Sequence, residues 1–174
     1  MIISVASGKG GTGKTLLATG LAWVAASEGA QVHLLDCDVE EPNAHLFLQP
    51  TLPQVQDVSA PVPSIDHERC NHCGRCARVC AFHALAVVRE HVLVFPELCR
   101  SCGGCLLQCE PQAITEVPRH IGRVELGQAG SIRFARGVMD VGQAMATPVI
   151  RALKRRALAE ANGAALVLLD APPG

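Results

Sequence analysis

The sequence predicts an α/β fold in which a parallel sheet carries a smaller, cysteine-rich α+β module as an insertion. Three observations predict it. A glycine-rich segment at residues 8–15 lies between a short apolar run and a helical pattern; a stretch with four prolines breaks the chain at 49–64; and two runs of four cysteines follow, 29 residues apart.

The elements follow in chain order. Residues 2–6 are apolar and stop at Ser7-Gly8, and residues 31–35 form a second apolar run, each long enough for a buried strand. Between them Leu17, Leu21, Val24 and Ala25 recur at helical spacing, and Gly29 stands where a helix C-cap is wanted. This is a βαβ unit. Residues 49–64 read as a linker, because the repeated loss of backbone donors disfavours a continuous helix or a central strand. The module after it is a duplication: Cys70, Cys73, Cys76 and Cys80 recur as Cys99, Cys102, Cys105 and Cys109, Gly74 matches Gly103, and Ala84-Leu85 matches Ala113-Ile114. Val124-Glu125-Leu126 and Ile132-Arg133-Phe134 flank a turn segment at 127–130, which predicts a hairpin. Thr147-Pro148 marks a helix start, Val149, Ile150, Leu153, Ala157 and Ala161 form its stripe, and Asn162-Gly163 ends it. Residues 164–169 form a third buried strand ending at Asp170. The expected domains are 1–60 and 118–174 for the two parts of the parallel-sheet unit and 61–117 for the insert. Three parallel strands with two helices form an incomplete sheet with exposed apolar surface, which predicts an N-terminal portion of a longer protein.

Composition excludes several functions. The chain has 174 residues, a formal net charge of -1, a pI near 6.6, four phenylalanines and one tryptophan. Such a balance disfavours nucleic acid and anionic membranes as partners. The apolar runs fall short of the ~20 residues a spanning helix requires, and the N-terminus lacks a signal pattern. A cytoplasmic location follows as the expectation, where reduced cysteines are metal ligands more often than disulfides.

Gly8, Lys9, Gly10, Gly11, Thr12, Gly13, Lys14 and Thr15 satisfy the phosphate-loop pattern directly after a strand and at the start of a helix. Glycines let backbone amides converge on phosphate oxygens, and the helix offers its positive end. Lys14 is expected to pair with the β and γ phosphates of ATP, and Thr15 to hold Mg²⁺. Asp170 at the end of a buried strand is the expected second metal contact, and Asp36 and Asp38 form an acidic pair at the same sheet edge.

The cysteine runs have the Cys-x2-Cys-x2-Cys-x3-Cys spacing by which bacterial ferredoxins hold two [4Fe-4S] clusters, the fourth cysteine of each run ligating the other cluster. Cys70, Cys73, Cys76 and Cys109 are therefore expected at one cluster, and Cys99, Cys102, Cys105 and Cys80 at the other. Zinc is the competing ligand, although structural zinc sites usually combine two separated pairs. The proline that usually follows the fourth cysteine is absent: Ala81 follows Cys80, and Glu110 follows Cys109. Cys37 reads as a small buried side chain.

The segments 9–15, 36–43 and 170–174 resemble the deviant Walker A ATPases of the MinD and ParA superfamily, relatives of the nitrogenase iron protein and of Mrp-type iron-sulfur carriers. More narrowly, the chain resembles P-loop NTPases of that superfamily with an inserted two-cluster ferredoxin domain. The resemblance implies that Lys9 reaches across an ATP-sandwich homodimer, that Asp38 orients the attacking water with Asp36 near the metal, and that Asp170 opens the second switch. It implies an ATPase coupled to electron transfer with an unknown redox partner. The alternatives are an ATP-dependent carrier delivering clusters to an apo-protein acceptor, and a positioning protein with structural clusters.

Overall fold

The computed structural model describes residues 1–161 and 165–174. Its elements are β1 (Ile2–Val5), α1 (Lys14–Ser27), β2 (Val32–Asp36), α2 (Ala44–Leu48), β3 (Thr51–Ile65), α3 (Arg75–Val79), β4 (Leu85–Val88), β5 (His91–Val94), α4 (Gly104–Leu107), β6 (Ile114–Ala129), β7 (Ile132–Met139), α5 (Thr147–Glu160) and β8 (Leu166–Asp170). Two compact units emerge. One comprises Met1–Val58, Ile121–Val141 and Ala146–Gly174, the other Ser59–His120 with Gly142–Met145.

The fold is α/β with a mostly parallel sheet in the order β1-β8-β2-β7-β6-β3. β1, β8, β2 and β7 are parallel neighbours, and β6 returns antiparallel to β7. The hairpin expected around residues 124–134 is therefore part of the main sheet, which has six strands rather than three. Its turn falls at Gly130, where φ is +58°, and Ser131, at the end of the segment the sequence marked. Val32, Leu34, Ile132, Phe134 and Leu168 form one face of the sheet and bury themselves against Ala18, Ala22 and Ala44.

The helix α1 turns its small side chains inward. Ala18, Thr19 and Ala22 are buried, whereas Leu17, Leu21 and Val24, whose spacing announced the helix, are exposed with Leu16 and Trp23. Alanines let the helix backbone approach a sheet face already filled by Leu34, Phe134 and Leu168. The helix α5 begins at Thr147 with Ala146 as its N-cap and Pro148 in the first turn, one residue from the expected cap. Its expected terminator, Asn162-Gly163, lies outside the described residues.

Where the prolines pointed to a linker, residues 51–65 form the long strand β3. It occupies the sheet edge beside β6. Pro53, Pro61 and Pro63 share one parity, so their missing N–H groups all fall on one side of the strand, and an edge leaves one side unpaired. Close approach at this edge requires Gly127: a Cβ there would land on the Thr51 carbonyl oxygen. Gly127→Ala should therefore destabilise the protein by about 2 kcal/mol or more, read as a lowered denaturation midpoint. An unchanged midpoint would place β3 elsewhere.

The second unit repeats itself in its backbone. His72, Gly74 and His83 adopt positive φ, and so do Ser101, Gly103 and Gln112, their partners 29 residues on. The Asp66 N–H donates to the Ala113 carbonyl, while the Phe95 N–H, its counterpart, donates to Ala84. Each half thus closes on the other. β4 and β5 pair antiparallel, and the same offset maps them onto the first residues of β6 and the last of β3. The strand hidden in the proline-rich stretch is the first half's copy of β5.

Candidate functional site

The phosphate loop opens α1. Gly11 and Gly13 adopt φ values of +71° and +85°, which favour glycine, and Gly13 is the helix N-cap. The Leu17 N–H donates to the Gly13 carbonyl at 2.9 Å, starting the helix. Within the loop the Thr12 hydroxyl bonds the Ser7 hydroxyl, which bonds the Lys9 carbonyl. The loop borders a cavity of about 790 Å³ lined by Gly10, Gly11, Thr12, Gly13, Lys14 and Thr15, with Asp38, Glu41, Asn43, Phe47 and Pro173 also on its wall. Gly8 and Lys9 do not line it, and Lys9 is exposed.

The acids behind the loop divide into two kinds. Asp170 on β8 and Asp36 on β2 are directly opposed in the parallel pairing, and both are fully buried. Asp36 spends both oxygens on backbone: its carboxylate accepts the Ala44 N–H at 3.0 Å and the Asp38 N–H at 3.2 Å. It thereby fixes the loop that carries Asp38 into the cavity, and it is not itself on the cavity wall. Burial, with Asp170 and Asp38 nearby, pushes its carboxyl up to about 7 against those two bonds. Burial likewise raises Asp170, opposed by Thr15 and Lys14, yet both Asp170 oxygens are buried without a hydrogen-bond partner. A buried, unpartnered carboxylate beside a hydroxyl fits a small hard cation, which takes oxygen ligands. Asp38, half-buried, is also raised, by burial first.

A second charged group sits in the same unit and was not legible in the sequence. Glu125 on β6 is buried, and its two oxygens accept from Arg123 Nε at 2.6 Å and Arg136 Nε at 2.5 Å. Nothing but its place in a strand distinguishes it in sequence. Burial alone would raise its pKa; the two guanidinium groups more than offset that and lower it. The sign follows: stability from this group is present above the unfolded-state value near 4.5 and is lost as pH falls through the lower folded value. Glu125→Gln should cost about 2 kcal/mol at pH 7, and the gap to wild type should narrow on acidification. A gap that stays constant with pH would mean that the charge does not matter there.

The eight repeated cysteines divide between two cavities of the second unit. Cys70, Cys73, Cys76 and Cys109 line one of about 330 Å³, with Arg75 also on its wall. Cys80, Cys99, Cys102 and Cys105 line another of about 420 Å³. The left-handed Gly74 and Gly103 start α3 and α4 and carry Cys76 and Cys105 to the two cavities. Backbone N–H groups already aim at three sulfurs: Ala84 at Cys80 (3.3 Å), Ser101 at Cys99 (3.4 Å) and Ala113 at Cys109 (3.2 Å). Among the described residues, no group of three or more His, Cys, Asp or Glu side chains is arranged to hold a metal ion. Cys37, buried on the other unit, has its thiol pushed up to about 12 by burial and belongs to neither group.

Comparison with known proteins agrees with this geometry in part. Residues 3–165 match the CobQ/CobB/MinD/ParA nucleotide binding domain. The whole chain is 35% identical to an uncharacterized protein of Methanocaldococcus jannaschii and spans 60% of that relative's length. Over 69 residues, 38% of the chain, it is 41% identical to an iron-sulfur cluster carrier protein of Pseudomonas fragi, covering 24% of it. Over 71 residues, 41% of the chain, it is 39% identical to an iron-sulfur cluster carrier protein of a Synechocystis species, covering 20% of it. Among the described residues no helix is long and apolar enough to cross a membrane.

Proposed function

Because the chain belongs to the CobQ/CobB/MinD/ParA nucleotide-binding domain family, we propose that it is an ATP-binding, Mg²⁺-dependent ATPase whose nucleotide state governs two [4Fe-4S] clusters in a ferredoxin-like module. The observation that carries the cluster half is the partition of the cysteines, one complete set of four on each cavity wall. Each set takes three cysteines from one repeat and the fourth from the other. Reciprocal bonds between the repeats hold that exchange in place.

In the nucleotide half, the backbone amides of residues 10–13 cradle phosphate oxygens, and Lys14 neutralises their charge. Thr15 and Asp170 hold Mg²⁺, with Asp36 fixing the adjoining loop; the metal supplies charge stabilisation at the β and γ phosphates. Asp38 on the cavity wall orients the attacking water. Catalysis by such a site is positioning plus electrostatics, with little covalent chemistry for the protein to perform. Lys9, exposed and away from its own chain's cavity, serves the phosphates of a second copy in a nucleotide-bound homodimer.

Electron transfer is the first reading of what the clusters do. Delivery of a cluster to an apo-protein acceptor is the second, favoured by the partial similarity to two iron-sulfur cluster carrier proteins. A reversible one-electron couple with retained iron supports the first, and loss of iron to an acceptor supports the second. The cysteine assignment has its own test. Cys109→Ala should lower the iron content of anaerobically purified protein from about eight to about four atoms per chain, without changing ATP affinity. Full retention of iron would remove Cys109 from the ligand set.

A further inference from the structure

The two halves of the cysteine unit repeat each other closely in backbone, and they differ in the charges beside their cavities. Arg75 in α3 forms an ion pair with Glu110, which follows Cys109. Arg75 lines the cavity of Cys70, Cys73, Cys76 and Cys109, whereas Glu110 does not, so the pair turns its positive end toward that cavity. No carboxylate is on its wall. The positions 29 residues away from these two are Gly104 and Ala81, so the other half has no such pair. The second cavity instead has Arg100 and Glu116 together on its wall, one charge of each sign. Arg100 also lies over the Phe82 ring, 5.5 Å from its centre. Both walls are otherwise mainly apolar, with Val79, Phe82 and Leu106 at this cavity and Ile65, Val92 and Ile114 at the other. Cys73 and Cys102, the equivalent outer cysteines, are both exposed, so solvent access does not oppose the difference in charge.

We propose that the two clusters are electronically unequal, the one at Cys70, Cys73, Cys76 and Cys109 having the higher reduction potential because Arg75 faces it. The proposal rests on the cluster reading above. Adding an electron makes a thiolate-ligated cluster more negative; a cation that stands nearer the cluster than its own counter-ion stabilises that state, and a wall that carries one charge of each sign does so less. The first electron added therefore settles on the cluster beside Arg75. Because the ion pair is partly exposed, solvent screening makes its effect on folding small, and its removal should register in the potential rather than in stability. Arg75 is a positioning charge, not a ligand.

The test is a redox titration of the anaerobically purified protein with dithionite, followed by EPR, after iron and zinc have been counted. Wild type should show two separate one-electron steps. Arg75→Met should lower the upper step and leave the lower one in place. Glu110→Gln, a surface change that spares the fold, should raise the upper step, and Glu116→Gln should raise the lower. A single shared potential in wild type, or an Arg75→Met variant that moves the lower step or neither, overturns the proposal. Zinc in place of iron overturns the cluster reading as well, and the metal count separates that result from the others.

Discussion

Replacing Lys14 with alanine is expected to weaken ATP binding by about a hundredfold or more while leaving the iron content unchanged. Lys14 is the first residue of α1 and lies on the wall of the phosphate cavity. Its ammonium is the one side-chain cation that the loop itself sends to that wall, since Lys9 does not line it. Removing one member of a close charge pair costs about 2–5 kcal/mol, and each 1.4 kcal/mol is about tenfold in affinity. The cysteine cavities draw on none of the loop's residues, so the clusters' absorbance should survive. Isothermal titration with ATP and an iron assay on the same sample read both halves. Joint loss of nucleotide and iron would contradict two separable sites.

Asp170→Asn should abolish Mg²⁺-dependent hydrolysis and at the same time stabilise the nucleotide-free protein. The wild-type carboxylate is completely buried, and the Thr15 hydroxyl and the Lys14 ammonium are the groups that oppose the cost of that burial. Its pKa is raised, first by burial. The sign of the linkage is that of a carboxyl raised on folding. The native state holds the proton more tightly than the unfolded chain, so wild type loses stability as pH rises from the unfolded value near 3.8 through the folded one. Asparagine carries no such charge, and the variant should be more stable by about 1 kcal/mol at neutral pH, with the advantage vanishing in acid. Saturating Mg²⁺ and ATP reverse the order, because ligand at about a hundred times its dissociation constant adds about 2.7 kcal/mol to a protein that binds it. Thermal melts across pH, with and without Mg²⁺ and ATP, measure both arms. A variant less stable than wild type without ligand would mean that Asp170 has a structural partner.

The placement of the candidate residues was legible in the sequence to different depths in the two units. The residues from Gly10 to Thr15, Asp38 and the eight cysteines all stand on cavity walls, because their motifs are local spacings that a single turn or short helix converts directly into geometry. Asp36 was legible as an acid at the sheet edge but not as the anchor of the loop, since its partners are backbone N–H groups that no residue pattern reveals. Phe47 escaped because α2 is five residues long and too short to show a period. Glu125 escaped because its partners come from β6 and β7, and pairing across strands is invisible to local pattern.

The proline-rich stretch misled for a more instructive reason. Proline argues against a central strand, and β3 is an edge strand. The duplication carried the missing information. Projecting β5 back by 29 residues lands on residues 62–65, so the repeat foretold a strand where composition argued for a linker. The exposed Leu17 and Leu21 teach the converse, since helical spacing marks a helix without saying which side meets the sheet.

Counting iron, zinc and acid-labile sulfide in the anaerobically purified protein, alongside ATP binding on the same sample, tests the central claim most directly. About eight irons and eight sulfides per chain, with EPR signals of reduced cubane clusters and one bound nucleotide, are the predicted result. Stoichiometric zinc without sulfide in a protein that still binds ATP would contradict it.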